Sequence, residues 1–298
     1  MKSLATAALG LLLTLQPSSN APLKFAWPVE TAATVETEYL RQSGIEPPAE
    51  LSYLRMTRRM RVLAHSDGYS IQFDDYRSRD ARGDVSQAMQ SLMSLWIETT
   101  VVGPDGRFIR IENAERAKEL LLTDAAAIEK RAGQNPVAKD YLAQAMRPDA
   151  LEIRQRQEWQ KLVLQWLGAT PSDDAVETTS TSQLVPGVDI PVQIRRSVVE
   201  RVPCKRGAAS FECVTFERRQ TATPDGLKRS WDRLAGPGGT PGARPVDLEV
   251  VFRVTLETRT MLPHAVLQTQ MMHIEAPLNG STVVVTNFES HRSQYTYQ

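Results

Sequence analysis

The segment 247–257 of this 298-residue chain, DLEVVFRVTLE, limits the possible folds more than any other. Leu248, Val250, Phe252, Val254 and Leu256 alternate with Glu249, Val251, Arg253, Thr255 and Glu257. A period of two sends successive side chains to opposite faces, so the segment reads as a strand with one buried face. Two turns then set the register of the strands after it. With Leu262-Pro263 as a turn, Phe252 faces His273 and Val254 faces Met271. With Asn279-Gly280 as a type I′ turn, His273 faces Thr286 and Met271 faces Phe288. Val254, Met271 and Phe288 form one row, and Phe252, His273 and Thr286 the next, on the apolar face of a twisted antiparallel meander. A one-residue slip would turn every side chain over, so the pattern depends on both turns.

The rest of the chain is read the same way. In 51–76 an Asp67-Gly68 turn joins two extended runs, which places Arg61 opposite Asp74 on one face and Val62 opposite Phe73 on the other. A second hairpin turns at Pro104-Asp105-Gly106, joining 98–102 to 107–111. Between the hairpins, 84–96 has the spacing of a short helix with Met89, Leu92, Met93 and Trp96 on one face. From 113 to 168 the pattern is helical. Asn113 caps a helix over 114–132 that Gly133 ends, a shorter helix covers 136–146, and a third runs from Pro148 to Gly168 with Trp159, Leu162, Val163 and Trp166 as its apolar stripe. Residues 169–182 are polar and turn-rich, and 234–245 form a Gly/Pro insert.

Strands, then helices, then strands is the order of an α+β fold. The expectation is a long, curved antiparallel sheet with a central three-helix insertion packed on one face. Residues 22–298 make one domain: a β-rich half at 22–112, the helices at 113–168, a linker at 169–182 and the meander at 183–298.

The first 21 residues, MKSLATAALGLLLTLQPSSNA, carry one basic residue, Lys2, an uncharged run from Leu4 to Leu15, and small residues at Ser19 and Ala21. This is a signal-peptide layout, and the run is too short to cross about 30 Å of hydrocarbon at 1.5 Å per residue. A periplasmic or secreted protein with no transmembrane segment in its mature chain is expected. The cysteines agree. Cys204 and Cys213 lie in strands 197–202 and 211–216 and just beyond, around a Gly207 turn, and a disulfide between them would stabilise the fold by about 2–3 kcal/mol in an oxidising compartment. They lack the C-x-x-C spacing of a redox pair.

Chemistry is less visible. Lys+Arg and Asp+Glu balance at 35 each, so no bulk field draws the chain to nucleic acid. None of His65, His264, His273 and His291 forms a metal-binding pair, and His291, opposite Gln268, lies about 17 Å along the strand from His273. No metal and no cofactor is expected. There is no G-x-S-x-G elbow, and the glycines of 234–245 match neither G-x-G-x-x-G nor a P-loop. Asp74-Asp75 point to opposite faces of a strand, and Asp173-Asp174 lie in the linker. The basic clusters Arg58-Arg59-Met60-Arg61 and Arg195-Arg196 alternate faces beside Asp74, Asp75, Glu200 and Glu217, a weak signal for an acidic envelope polymer.

The functional expectation is an exported, non-catalytic envelope protein. It would hold a lipid or other apolar small molecule, or a segment of another envelope protein, between sheet and helices. Phe252, Val254, Met271, His273 and Phe288 would line that space, with Trp159 and Trp166 from the helix. The alternatives are a structural subunit that assembles through its sheet edges and a hydrolase of an envelope polymer that uses His273 or His264. A curved sheet closed on one side by helices is also the architecture of periplasmic lipoprotein carriers and related lipid-binding proteins, whose motifs this chain does not match.

Overall fold

The computed structural model describes residues 21–45, 48–80, 83–84, 99–112, 150–172, 175–185, 188–235 and 241–298. In chain order these form β1 (Thr31–Ile45), β2 (Ala49–His65), β3 (Gly68–Asp80), β4 (Gly83–Asp84), β5 (Thr100–Val102), β6 (Phe108–Ile111), α1 (Ala150–Trp159, continued by a π-type turn at Gln160–Leu164), β7 (Val176–Val185), β8 (Val188–Arg206), β9 (Ala209–Ala222), α2 (Pro224–Ala235), β10 (Arg244–Glu257), β11 (Pro263–Leu278) and β12 (Ser281–Tyr297). They build one 12-stranded sheet in the order β6-β5-β3-β2-β1-β12-β11-β10-β9-β8-β7, with β4 on β3. The N-terminal and C-terminal strands join where β1 pairs antiparallel with β12, from Ala33 opposite Tyr297 to Ile45 opposite Val285. No helix among the described residues is long and apolar enough to cross a membrane.

The sheet is strongly curved. Tyr297 of β12 pairs with Arg206 of β8, although β11, β10 and β9 lie between them in the sheet order. In a flat sheet those two strands would be roughly 19 Å apart, at about 4.8 Å per neighbour, so this corner must roll up on itself.

Alternation in β10 shows how the faces are assigned. Phe252, Val254 and Leu256 are buried and pack with Val214 and Phe216 of β9, Val35 of β1, Met60 of β2, Ile71 of β3 and Tyr295 of β12. Trp159, Val163 and Trp166 of the α1 segment cover this core, together with Leu23, Phe25 and Trp27 from the stretch before β1. Each such side chain contributes about 1.5–3 kcal/mol by leaving water. The indoles also find partners: Trp159 Nε1 donates to the Gly106 carbonyl (2.7 Å) and Trp27 Nε1 to that of Met261 (3.0 Å). A second cluster, with Ile190, Val192, Ile194, Leu248 and Val250, packs on Leu227 of α2.

Several expectations need correction. The first hairpin turns at Ser66-Asp67, one residue earlier than expected, so Val62 faces Ile71 and Arg59 faces Asp74. The slip is even and keeps every side chain on its expected face; Arg61 still reaches Asp74 at 2.6 Å. The register of β10 on β11 is different in kind. Phe252 faces Gln268, Val254 faces Val266 and Asp247 faces His273, because the chain turns through Thr258–Met261 and not at Leu262-Pro263. The register of β11 on β12 is as expected, His273 opposite Thr286 and Met271 opposite Phe288, and the turn residues Asn279 and Gly280 both have positive φ (50° and 82°).

Part of the expected linker, from Val176 onward, is strand β7. Of the helices expected over 113–168, the described residues hold only the last, so a three-helix insertion is not supported; the helices at 84–96, 114–132 and 136–146 lie outside the described residues, as does nearly all of the signal segment. Helix α2 is an addition to the expected elements. Its signal is local: Thr223 Oγ1 accepts the Gly226 N–H (3.2 Å) as an N-cap, and Pro224 occupies the first position, where its missing N–H costs nothing.

Candidate functional site

Two of the hollows among the described residues lie on opposite faces of the rolled sheet. The first is a cleft of about 210 Å³ between α1 and the sheet, lined by the apolar side chains of Trp27, Met60, Ile71, Phe73, Trp159, Leu162, Phe252 and Val266 and also by Arg58, Thr100, Gln155, Glu158, Ser293 and Tyr295. Its walls stand up because the aromatics hold one another: Trp27 and Trp159 meet edge to face at 5.4 Å, and Phe25 stacks on Trp27 at 5.4 Å. Gly106 is required beneath them. It has φ 82°, and a Cβ there would lie 2.6 Å from the Phe25 ring, so only glycine allows Trp159 to reach its carbonyl.

Of the residues expected to line such a space, Phe252 and Trp159 do so, and Val254 and Trp166 pack in the same core beside it. Trp166 lies against Phe216 (5.2 Å) and stacks near Phe252 (6.5 Å). Met271, His273 and Phe288 are on the other face, turned over by the β10–β11 register. There His273 Nδ1 meets Asp247 Oδ1 at 2.8 Å, a cross-strand contact near the strand end. Sequence reading misses Phe25 and Trp27, although Leu23, Phe25 and Trp27 alternate as an extended apolar segment should. It names Arg58 only in a basic cluster and not at the cleft wall, where its guanidinium lies 4.1 Å over the Phe73 ring and its Nε is buried with no hydrogen-bond partner among the described residues.

The second hollow is a trough of about 980 Å³ inside the roll, on the face away from α1. Leu40, Tyr53, Val202 and Leu267 line it together with Glu38, Glu200, Arg253 and Arg292, and Cys204 and His264 reach it at the closed corner. Cys204 and Cys213 are joined in the expected disulfide. Their sulfurs and a ring nitrogen of His264 lie within 4.8 Å of one another, but sulfurs bonded to each other offer no thiolate to a metal.

Glu257, 0% exposed, lies next to this cluster. Its Oε1 accepts from His264 Nε2 (3.3 Å), its Oε2 from the Thr260 hydroxyl (2.7 Å), and Arg206 stands 3.9 Å away. Burial pushes the carboxyl upward, yet these donors and the Arg206 charge outweigh it and hold the group below its ordinary value. Tyr297 packs its ring on His264 (4.9 Å) and donates its hydroxyl to the Pro263 carbonyl (2.6 Å); burial pushes this phenol well above its usual range. Nearby, the Thr215 hydroxyl shares a hydrogen bond with Thr255 (2.8 Å). The His264–Glu257 pair therefore ties the β10–β11 loop to the closing strands, and its histidine is engaged as a brace.

No protein-family model and no curated protein matches the chain in sequence. Among solved structures, it resembles lipovitellin, in a structure concerned with lipid–protein interactions (9% identity, TM-score 0.45); the match covers 91% of this chain and 26% of that one, so the chain spans about a quarter of lipovitellin's length. It also resembles a protein described as exported, with a YmcC-like fold, from Bacteroides fragilis (11% identity, 93% and 99% coverage, TM-score 0.26), and OccK5 (OpdH) of Pseudomonas aeruginosa (6% identity, 91% and 98% coverage, TM-score 0.22).

Proposed function

We propose that this protein is exported and holds the end of an apolar chain, such as a lipid acyl group, in the cleft between α1 and the sheet, without catalysis. The observation that carries this reading is the cleft itself: a slot of about 210 Å³ against the main core whose lining is mostly aromatic and aliphatic, with Arg58, Thr100, Gln155, Glu158 and Ser293 as its polar members. A dry cavity of about 150 Å³ lined by apolar side chains already binds benzene, so this volume accepts one ring or a short acyl segment. Export is supported by the signal-like residues 1–21 and by a buried disulfide that persists in an oxidising compartment.

Trp27 and Trp159 line the cleft and report on it. Titration with decanoate is expected to change their fluorescence saturably, and Leu162→Trp, which fills the slot, is expected to abolish that change while leaving the far-ultraviolet circular dichroism intact. Mass spectrometry of the protein purified gently from its own compartment is expected to find a co-purifying lipid. A decanoate response that Leu162→Trp leaves untouched, or no response and no lipid, sinks the reading.

A further inference from the structure

Strand β2 carries a charge on the face it turns to the core. Met60 and Val62 belong to the main core, and alternation puts Arg58 on their side of the strand, directly opposite Val35 of β1, which is 0% exposed. The other neighbouring strand is irregular at this point. Thr57 pairs with Arg77 and Arg59 with Asp74, so Arg58 has no opposite on β3 and sits in a β-bulge, a device that re-aims a side chain. A charge on an apolar face is costly unless something compensates it.

What surrounds Arg58 compensates it only in part. The Phe73 ring, 4.1 Å from the guanidinium carbon, attracts the charge but leaves the in-plane N–H donors to other acceptors. The buried Nε has no hydrogen-bond partner among the described residues, which is rare for a buried polar atom. The nearby carboxylates are engaged elsewhere: Glu36 by Arg55 (2.8 Å), Asp74 by Arg59 (2.8 Å) and Arg61 (2.6 Å), Asp75 by Arg77 (3.6 Å). Glu158, the carboxylate in the cleft lining, is held by Lys161 at 2.8 Å and is 57% exposed, which turns it toward solvent. Arg58 also lines a second, open hollow beside β1, β2 and β3, so it stands where the apolar slot meets water.

We propose that the cleft selects a single-chain amphiphile with a carboxylate head, a fatty-acid type of ligand: the chain enters the slot and the head meets Arg58 at its mouth. A carboxylate offers two oxygens to the parallel N–H groups of a guanidinium, a match that a hydroxyl head lacks. The inference rests on the reading of the cleft as an acyl site and names the ligand class for it.

Isothermal titration of the full chain with decanoate and, separately, with decanol, which has the same chain and no charge, tests this. Arg58→Met and Arg58→Gln are each expected to weaken decanoate on the order of tenfold, the size of a hydrogen bond to a charged group, while decanol binding stays unchanged. Both variants remove a charge from an apolar face, so they are expected to fold at least as stably as the parent, and their decanol affinity reports an intact cleft. Arg58→Lys keeps the charge without the fork and is expected to fall between parent and Arg58→Met. Arg59→Gln, a neighbouring cation on the opposite face of β2, is expected to change neither affinity. If the Arg58 variants weaken both probes alike or neither, or if Arg59→Gln weakens decanoate as much as they do, the proposal is overturned and the acyl site still stands. Binding of neither probe by the parent overturns both.

Discussion

Glu257 shows how one residue can sustain a buried charge. Removing a carboxylate from water is expensive unless donors replace the solvent, and here His264, Thr260 and Arg206 do so. Because the folded carboxyl is held below its ordinary value, its contribution to stability is present above the unfolded pKa and is lost as pH falls through the folded one. Glu257→Gln keeps an acceptor for Thr260 but leaves Arg206 without its opposite charge. At pH 7 it is expected to cost about 1–3 kcal/mol in urea unfolding. The gap between parent and variant is expected to narrow as pH is lowered beyond about 4.5, the unperturbed glutamate range. A gap that stays constant down to pH 3 would contradict the brace. Gly106 makes the complementary case, that of a missing atom. Gly106→Ala must strain a positive φ and also displace Phe25, so it is expected to destabilise by more than the roughly 1 kcal/mol of an ordinary glycine position and to reduce the decanoate response with it.

At the level of elements, turns decide what can be read from sequence. The β11–β12 register is legible to the residue because Asn-Gly demands two positive φ values, which few other dipeptides tolerate. The first hairpin departs from its expected register by an even slip, so its faces survive. Between β10 and β11 the loop runs through Thr258, Arg259, Thr260 and Met261, and the left-handed residue is Met261 (φ 63°), which no side-chain rule marks as a turn former. Proline at 263 begins a strand instead of making the turn, and the odd shift that results moves Met271, His273 and Phe288 away from Phe252 and Val254. The core half of the candidate cleft is therefore legible through the Trp159 and Phe252 periodicities, whereas Met60, Ile71 and Phe73 come to it through long-range pairing that a local pattern does not contain. The β8–β9 hairpin is legible too, disulfide included, because its strands are local and its turn is short. Replacing Cys204 and Cys213 with alanine frees a loop of sequence separation 9, and a loss of about 2–3 kcal/mol is expected, equal to the loss the parent suffers on reduction. Thiol titration of the denatured, unreduced parent is expected to find no free cysteine.

For the whole molecule, the question is whether the halves on either side of α1 are separate units. Their contacts lead to the expectation that they are not. β1 runs the length of β12, so the backbone of the first strand is hydrogen-bonded to that of the last. The main core mixes Trp27, Val35, Met60 and Ile71 from one half with Val214, Phe216, Val254 and Leu256 from the other, and α1 covers both. Exposing one half to solvent would strip apolar surface from the other, and at about 25 cal/mol per Å² such shared burial couples them strongly against a marginal total stability. The two halves are therefore expected to unfold in one transition. Trp27 and Trp159 fluorescence, which reports the cleft, and far-ultraviolet circular dichroism, which reports the full sheet, should give coincident urea curves, with equal calorimetric and van't Hoff enthalpies. The closing corner should share this cooperativity, since Tyr297 bonds Pro263 through its hydroxyl and pairs with Arg206 through its backbone. Tyr297→Phe, which orphans the buried Pro263 acceptor, is expected to shift both curves together to lower urea by an amount equivalent to about 1 kcal/mol. If that variant moves one probe and not the other, or the parent melts in two steps, the roll is a separable unit, and a ligand held under α1 would then report on only part of the sheet.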